Sequence, residues 1–181
     1  MVSFDEELQD IMNKSALALM ISIGHRTGLF DVMAKLPLSS SNDIAEKANL
    51  NERYVREWLG ALVTSKIIDY DSKSSLYSIS KDKSDLLTRD GSFNFATSMQ
   101  FIPVMAQVED KILDCFTNGG GVPYESFHRF HEVMAEESSQ TVLSELIDGI
   151  LPLVTGLIEK LKQNIKILDV GCGSGRAINL M

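Results

Sequence analysis

The feature that most constrains this chain is its last stretch, where a short apolar run meets a turn with glycine at every second position. The run spans Ile165 to Val170, and the turn is Gly171-Cys172-Gly173-Ser174-Gly175. A short apolar run bounded by glycines predicts a strand and a tight turn, and residues 176–181 are compatible with the start of a helix. Glycine suits such a turn because it adopts positive φ and lets a ligand lie against the backbone. The stretch therefore predicts a ligand-binding βα turn.

The spacing of the glycines narrows the class of ligand. A dinucleotide-binding turn follows the pattern G-x-G-x-x-G, but Arg176 stands where its third glycine would fall. Asp169 lies two residues before the first glycine, at the end of the predicted strand where α/β sheets bind ligands. A carboxylate there suits a ligand with a cationic part better than a pyrophosphate. A dinucleotide fold and a purely structural glycine turn are the alternatives.

Composition limits the classes of protein to which the chain can belong. With 181 residues, 44% of them hydrophobic and 23% charged, it is typical of a globular protein of one or two small domains. The net charge of −8 disfavours a nucleic-acid partner, since phosphates would repel such a surface. No apolar run reaches the roughly 18 residues of a membrane helix, and the amino terminus is acidic where a signal peptide would be basic. Cys115 and Cys172 are far apart and lack metal-binding spacing, so we expect free thiols, no metal site and a cytoplasmic location.

The amino-terminal third begins with a long helical pattern. Ser3 and Glu6 form a capping-box pattern, and apolar residues at intervals of three and four predict a helix of about twenty residues that ends at Gly24. Its apolar face could pack on its own core or on a second subunit, and we expect a homodimer through the amino-terminal helices. A second helix is predicted over 29–36, before Pro37. His25 is isolated from any acid, which favours a packing role over catalysis.

The segment from Ser39 to Ile79 predicts a winged helix. Ser39-Ser40-Ser41 caps a short helix, Asn51 caps a longer one that carries Trp58, and strands are predicted over 67–70 and 76–79. A DNA-reading helix would show a basic outer face, but from Lys35 to Ile79 the six basic residues are balanced by six acidic ones. A packing module is therefore the preferred interpretation. A DNA-binding, regulatory or purely dimerising protein is the alternative.

The middle of the chain predicts further helices. Two are expected over 92–100 and 104–116, separated by Pro103, with faces rich in phenylalanine and methionine that are more typical of a core than of a pocket. Two more, or one kinked at Pro152, are expected over 141–151 and 152–161. His128, His131 and Glu132 lack the H-E-x-x-H spacing of a zinc site.

The glycine turn, together with the rest of the chain, resembles a known family. Asp-Val-Gly-Cys-Gly-Ser-Gly over 169–175 resembles the first motif of the class I S-adenosylmethionine-dependent methyltransferases. The whole chain is similar to bacterial-type members in which a winged helix and a helical segment precede the cofactor fold, as in plant-type small-molecule O-methyltransferases. The stretches that carry this wider resemblance are 24–31, 51–59, 119–124 and 130–138.

The resemblance implies a cofactor, S-adenosyl-L-methionine, and a small-molecule methyl acceptor. It implies that one set of residues holds the methionine end and ribose of the cofactor, namely Asp169, Gly171, Gly173 and Gly175. A looser match places three further residues beside cofactor and acceptor, with Glu137 in place of the usual aspartate: Phe130, Met134 and Ser138. It assigns no catalytic residue.

These inferences define an expected architecture. We expect a mainly α fold with a small β wing, ending in the first βα unit of an incomplete Rossmann-like domain. The expected segments are a helix and winged-helix domain (1–90), a helical linker on the substrate side (91–163) and the start of the cofactor domain (164–181). We also expect the chain to be truncated just after the first motif, to have little or no activity alone, and to expose apolar surface over 165–181.

Overall fold

The computed structural model of the chain describes residues 2–163 and 165–181. Met1 and Asn164, which open the first and third expected segments, lie outside the described residues. The chain divides into two compact units, Met1–Pro103 and Val104–Met181. In chain order, the α-helices and strands of the described residues are α1 (Phe4–Thr27), α2 (Leu29–Met33), α3 (Ser41–Ala48), α4 (Glu52–Thr64), β1 (Asp69–Asp71), β2 (Leu76–Ser78), α5 (Lys81–Ser84), α6 (Phe95–Met99), α7 (Phe101–Ala106), α8 (Glu109–Asn118), α9 (Phe130–Ser138), α10 (Leu157–Leu161) and α11 (Arg176–Leu180).

Helix α1 begins as predicted but runs further than predicted. The backbone N–H of Ser3 donates to the Glu6 carboxylate at 2.9 Å, which closes the capping box. The helix passes through Gly24 and ends at Gly28, whose φ of 73° is the left-handed conformation that terminates many helices. Gly24 is needed for packing, because a Cβ there would lie 2.5 Å from Trp58 Cζ2 and 2.6 Å from Phe30 Cε2. Helix α2 is correspondingly shorter than the predicted 29–36.

Helices α3 and α4 form the predicted helix-turn-helix. The Ser40 hydroxyl accepts from the backbone N–H of Asp43 at 3.2 Å, and the Asn51 side chain accepts from that of Arg53 at 3.1 Å. The indole N–H of Trp58 donates to the Met20 carbonyl at 2.8 Å, so α4 is tied to α1. These helices enclose the core of the first unit, whose buried members are Ile21, Leu29, Phe30, Met33, Ile44, Ala45, Val55, Trp58, Leu59, Leu62, Ile68 and Ala96.

The predicted wing is present, with a shifted first strand. Strands β1 and β2 pair antiparallel with Tyr70 opposite Tyr77. The first strand was predicted from Ile67, but the N–H groups of Ile67 and Ile68 donate to the Leu62 carbonyl at the end of α4, at 2.9 and 3.2 Å. Because Ile68 is buried in the core, these two residues belong to the helix end rather than to the ladder. The first unit is therefore a winged helix with a short wing.

The helices of the middle of the chain differ from those predicted. Pro103 does not separate two helices but lies in the first turn of α7, where a missing N–H costs no hydrogen bond. Helix α8 has no buried residue, and Phe116 on it is 85% exposed, so the prediction that its apolar face is core is wrong.

Of the helices predicted over 141–151 and 152–161, only the stretch Leu157–Leu161 is α-helical. The chain forms π-helical turns at Ser139–Leu143 and Leu146–Ile150, a 3₁₀ turn at Leu151–Leu153, and then α10. Hydroxyl groups compete with the α-helical ladder here, because Ser139 donates to the Ala135 carbonyl at 2.6 Å and Ser144 to that of Gln140 at 2.9 Å.

The stretch 165–169 has no regular secondary structure, and Val170 already belongs to the turn. Within residues 2–163 and 165–181, only β1 and β2 form strands, so the predicted strand before the glycine turn has no ladder partner. Leu168 and Val170 are each 87% exposed. The expected exposure of apolar surface is confirmed, whereas the predicted strand is not observed.

Candidate functional site

The glycine turn adopts the backbone conformation that its sequence predicts. Gly171, Gly173 and Gly175 have φ values of 84°, 56° and 74°, a region that costs an L-residue with a side chain roughly 1–2 kcal/mol. A Cβ at Gly171 or Gly173 would meet no atom within 4 Å, so the space beside these two residues is open. The Gly175 N–H donates to the Cys172 carbonyl at 2.9 Å, which closes the turn before α11.

Helix α9 lies against this turn within the second unit. Arg129 precedes the helix with a φ of 68°, and its guanidinium pairs with Glu132 at 3.0 Å. The Tyr124 ring stacks on the His131 imidazole with centroids 5.8 Å apart, and it also contacts the Phe130 ring. The aromatic contacts hold the first turn of α9, and they place His131 towards the glycine turn.

Helix α9 and the glycine turn enclose a cavity of about 290 Å³. Its charged side chains, Asp169 and Arg176, come from the turn side, while α9 contributes both apolar and neutral polar side chains. The lining residues are His131, Met134, Ala135, Ser138, Val142, Leu143, Asp169, Gly171, Cys172, Gly173, Ser174, Arg176 and Ala177. A concave, mostly apolar site with a few converging polar groups is the usual form of a small-molecule site.

The cavity brings together most of the residues that the sequence singled out. Asp169, Gly171 and Gly173 line it from the turn, and Met134 and Ser138 line it from α9, across more than thirty residues of chain. Gly175 lies at the end of the turn as the cap of α11 and is not part of the lining.

Phe130 is also outside the lining. Its ring packs on Tyr124 and Phe127, with centroid distances of 5.9 and 6.1 Å.

Two of the residues that line the cavity are not among the site residues predicted from the sequence. Arg176 was noted only as a departure from the dinucleotide pattern, and His131 only as an unconvincing metal ligand. The heptapeptide around Asp169 carries no signal for the helix that faces it, so neither contact could be found from spacing. In the described part of the chain, no group of three or more His, Cys, Asp or Glu side chains is placed to hold a metal ion.

His25 belongs to a separate, buried network in the first unit. It is 1% exposed, and its ring nitrogens lie 3.2 Å from the Asn94 amide and 3.2 Å from the Arg89 guanidinium. Arg89 also pairs with Asp31. This confirms the packing role predicted for His25.

No helix of the described residues is long and apolar enough to cross a membrane.

Comparison with known protein families supports the description of the first unit. A family model described as "Rv2258c-like winged HTH domain" matches residues 15–89, which confirms the predicted winged helix. A search of curated proteins gave no match.

Several solved structures are similar in fold to the chain. Human N-acetylserotonin methyltransferase in complex with S-adenosylmethionine has a TM-score of 0.61 at 13% identity, over 93% of this chain and 64% of that one. N,N-8-amino-8-demethyl-D-riboflavin dimethyltransferase from Streptomyces davawensis has a TM-score of 0.62 at 13% identity, over 80% and 46%. The mitomycin 7-O-methyltransferase has a TM-score of 0.53 at 18% identity, over 82% and 44%.

The chain thus spans between 44% and 64% of the length of these three structures. At such identities the likeness concerns the fold, which is a mainly helical, winged-helix-containing arrangement shared with small-molecule methyltransferases.

Proposed function

We propose that this chain is the amino-terminal part of an S-adenosylmethionine-dependent methyltransferase that acts on a small molecule. The observation that carries the proposal is the cavity in which a carboxylate, Asp169, and two open positive-φ glycines lie across from helix α9. A sulfonium ligand with an amino-acid end fits these features, since its cationic ammonium can pair with the carboxylate and its methionine end can lie against the open backbone of the glycines. The similarity of fold to methyltransferases supports the same conclusion.

Each wall of the cavity has a distinct role in this proposal. The Asp169 carboxylate accepts hydrogen bonds from the ligand ammonium, and Gly171 and Gly173 let the methionine end and ribose lie against the main chain. Met134 and Ser138 bound the opposite side, and Phe130 holds α9 in place through the aromatic contacts. Gly175 supports the turn from outside the lining.

A cofactor held by these residues would supply an electrophilic methyl group for an acceptor nucleophile. The residues of this chain position the cofactor and exclude water from one side of it. No catalytic residue is proposed.

The proposal includes the three-part organisation. Residues 1–90 form the winged-helix domain, 91–163 the substrate-side helical segment and 164–181 the beginning of a Rossmann-like cofactor domain. The stretch 165–170 forms no strand in this chain, but its exposed Leu168 and Val170 are suited to burial in the parallel sheet of such a domain.

We expect weak cofactor binding and little or no methyl transfer by the 181-residue chain alone. The cavity of about 290 Å³ lies at the lower end of the range for ligand sites, and its only described carboxylate is Asp169. Because the adenosine part would gain few contacts from these walls, a dissociation constant on the order of 0.1–1 mM is expected.

Calorimetry with S-adenosylhomocysteine tests the assignment. Asp169→Asn should weaken binding about tenfold, because it removes the charge that faces the ammonium. The matched ligand control is 5′-methylthioadenosine, which lacks the amino-acid end and should bind both forms equally. Equal affinity of wild type and Asp169→Asn for S-adenosylhomocysteine would show that the ligand does not use this carboxylate.

The amino-terminal helix supports a homodimer in this proposal. The first half of α1 carries an exposed apolar stripe that includes Phe4, Leu8, Ile11 and Met12. Burial of this stripe against a second copy would remove it from water. Ile11→Glu with Met12→Glu should give a monomer by light scattering, while Lys14→Glu should leave the dimer intact. A wild-type monomer at high concentration would contradict the dimer.

The proposal also holds that the protein is a cytoplasmic enzyme without a nucleic-acid partner. Cys115 and Cys172 are free thiols, as suits a reducing compartment. On α4, Arg56 is paired with Glu52 at 3.6 Å, and the wing carries Asp69 and Asp71. A specific shift of duplex DNA at low salt would overturn this part of the proposal.

A further inference from the structure

Arg176 forms a polar contact that joins the glycine turn to helix α9. Its Nη1 donates to the Ala135 carbonyl at 3.0 Å and to the Ser139 hydroxyl oxygen at 2.7 Å. The Ser139 hydroxyl in turn donates to the same carbonyl at 2.6 Å. One guanidinium nitrogen, one hydroxyl and one carbonyl therefore form a closed set of three hydrogen bonds across about forty residues of chain.

The acceptor side of this contact is suited to a cation. Ala135 lies in the last turn of α9, where carbonyl groups carry the partial negative charge of the helix dipole. The α-helical ladder ends at Ser138, and a π-helical turn begins at Ser139. The Ala135 carbonyl also accepts the backbone N–H of Ser139, and π-helical turns of this kind are frequent at functional sites. Arg176 thus supplies a charged hydrogen-bond donor where the α-helical hydrogen-bond pattern gives way to the π-helical one.

The turn side of the contact has few other restraints. Gly171, Gly173 and Gly175 are free of side chains, and the preceding stretch 165–170 has no ladder partner among the described residues. The cavity has one wall on α9 and the other on the turn, so the distance between the walls depends on what connects them. The Arg176 contact makes that connection beside the cavity.

We infer that Arg176 is a positioning residue that holds the glycine turn against α9, so that the cavity is formed before any ligand binds. The consequence for cofactor affinity rests on the proposed function, whereas the holding of the turn does not. Arg176 also lines the cavity, but in this role its Nη1 bonds to Ala135 and Ser139 rather than to a ligand.

The geometry of the Arg176 contact predicts which substitutions keep its hydrogen bonds and which remove them. A single nitrogen, Nη1, makes both bonds, so the ammonium of Arg176→Lys can reach the same two acceptors. Arg176→Met keeps much of the side-chain length and removes every donor. Ser139→Ala removes one acceptor and one donor, and its effect should not add to that of Arg176→Met, since both act on the same three bonds.

Hydrogen exchange without ligand tests the holding of the turn. Arg176→Met should speed exchange of the amides of Gly175 and Asn179 by about tenfold, the scale of losing one charge-assisted hydrogen bond. Arg176→Lys should stay close to wild type, and Lys166→Met, which removes an exposed charge nearby, should have no effect. Unchanged exchange in Arg176→Met, or the same increase in Lys166→Met, would overturn the inference.

Binding of S-adenosylhomocysteine to the same variants separates this inference from the proposed function. Weaker binding by Arg176→Met, restored by Arg176→Lys, supports both. Faster exchange in Arg176→Met with no binding by any form supports the positioning role and contradicts the proposed function. If wild type binds the ligand, and neither exchange nor affinity changes in Arg176→Met, the positioning role is overturned and the proposed function remains intact.

Discussion

The two units of the chain differ in how completely they bury their own apolar residues. The first encloses large side chains such as Phe30, Trp58 and Leu62 in one continuous cluster. The buried apolar residues of the second are mainly smaller, including Val104, Val108, Val133 and Ala135, while Leu153 and Phe116 are more than 80% exposed. The first unit therefore has what an independently folding domain needs, whereas the second presents apolar surface that is suited to further burial.

The ends of the helices show the same difference. Helices α3, α4 and α6 begin with side-chain caps from Ser40, Asn51 and Asn94. Helices α8, α9, α10 and α11 have no side-chain cap hydrogen bond. Local sequence thus specifies the elements of the first unit more strongly than those of the second, where tertiary contacts such as the one from Arg176 have more influence.

The largest expected effect on the free energy of unfolding comes from removing a buried aromatic ring from the core of the first unit. Phe30→Ala removes a fully buried side chain that packs edge-on to Trp58 at 5.2 Å, and it should cost about 3–5 kcal/mol of unfolding free energy. Trp58 is the only tryptophan, so its fluorescence in a urea titration reports this unit. Phe116→Ala is the matched control in the second unit and should change the transition by less than about 0.5 kcal/mol. Similar losses in both variants would remove the contrast between the units.

Two glycines of the first unit should respond to alanine with opposite signs. Gly24→Ala would push a methyl group into Trp58 and Phe30, so it should destabilise by about 1–3 kcal/mol. Gly60→Ala meets no atom within 4 Å on α4 and should stabilise by up to about 1 kcal/mol through better helix propensity. The same denaturation measurement checks both, and a stable Gly24→Ala would contradict the close approach of α1 and α4.

A smaller, pH-dependent loss of stability is expected when the side-chain cap of α3 is removed. Ser40→Ala should cost on the order of 1 kcal/mol at neutral pH through loss of the cap. The Ser40 hydroxyl, followed by its backbone N–H, lowers the pKa of the Asp43 carboxyl below its ordinary value. A lowered pKa means that this interaction contributes fully above the ordinary pKa and is lost as pH falls through the lowered one.

The difference between wild type and Ser40→Ala should therefore shrink in acid. Thermal unfolding of both across pH 7 to about 2 measures it. Asp43→Asn is the control, because it removes the titrating group; in that background, the effect of Ser40→Ala should not vary with pH in this range. A difference that grows in acid would contradict the assignment.

The sequence predicted the first unit well because its signals are local. The caps at Ser40 and Asn51, the periodicity around Trp58 and the turn between the strands all lie within a few residues of the structure that they specify. Gly24 shows where such reasoning ends: it was interpreted as a helix end, yet it lies inside α1 because rings from two other elements occupy the space of a Cβ. The close packing of these rings on Gly24 leaves no pattern in the sequence around Gly24.

In the second unit, local signals identified the turn but not its surroundings. The glycine spacing correctly predicted the positive φ of the turn, but the strand expected to end at Asp169 is not observed. Only the resemblance to a family placed Met134 and Ser138 of α9 beside the turn, and nothing in the sequence predicted that Arg176 donates to Ala135 or that π-helical turns follow α9. These features depend on contacts between segments that are far apart in sequence, or on competition among several hydrogen-bond acceptors.

A titration of the ¹⁵N-labelled protein with S-adenosylhomocysteine, followed by NMR of the backbone amides, tests the proposed function most directly. We predict saturating shifts for amides that line the cavity, over 131–143 and 169–177, with the winged helix of the first unit unchanged and with weaker binding in Asp169→Asn. Saturating shifts centred on α3 and α4, or no shifts at millimolar ligand, would contradict the assignment of this cavity to the cofactor.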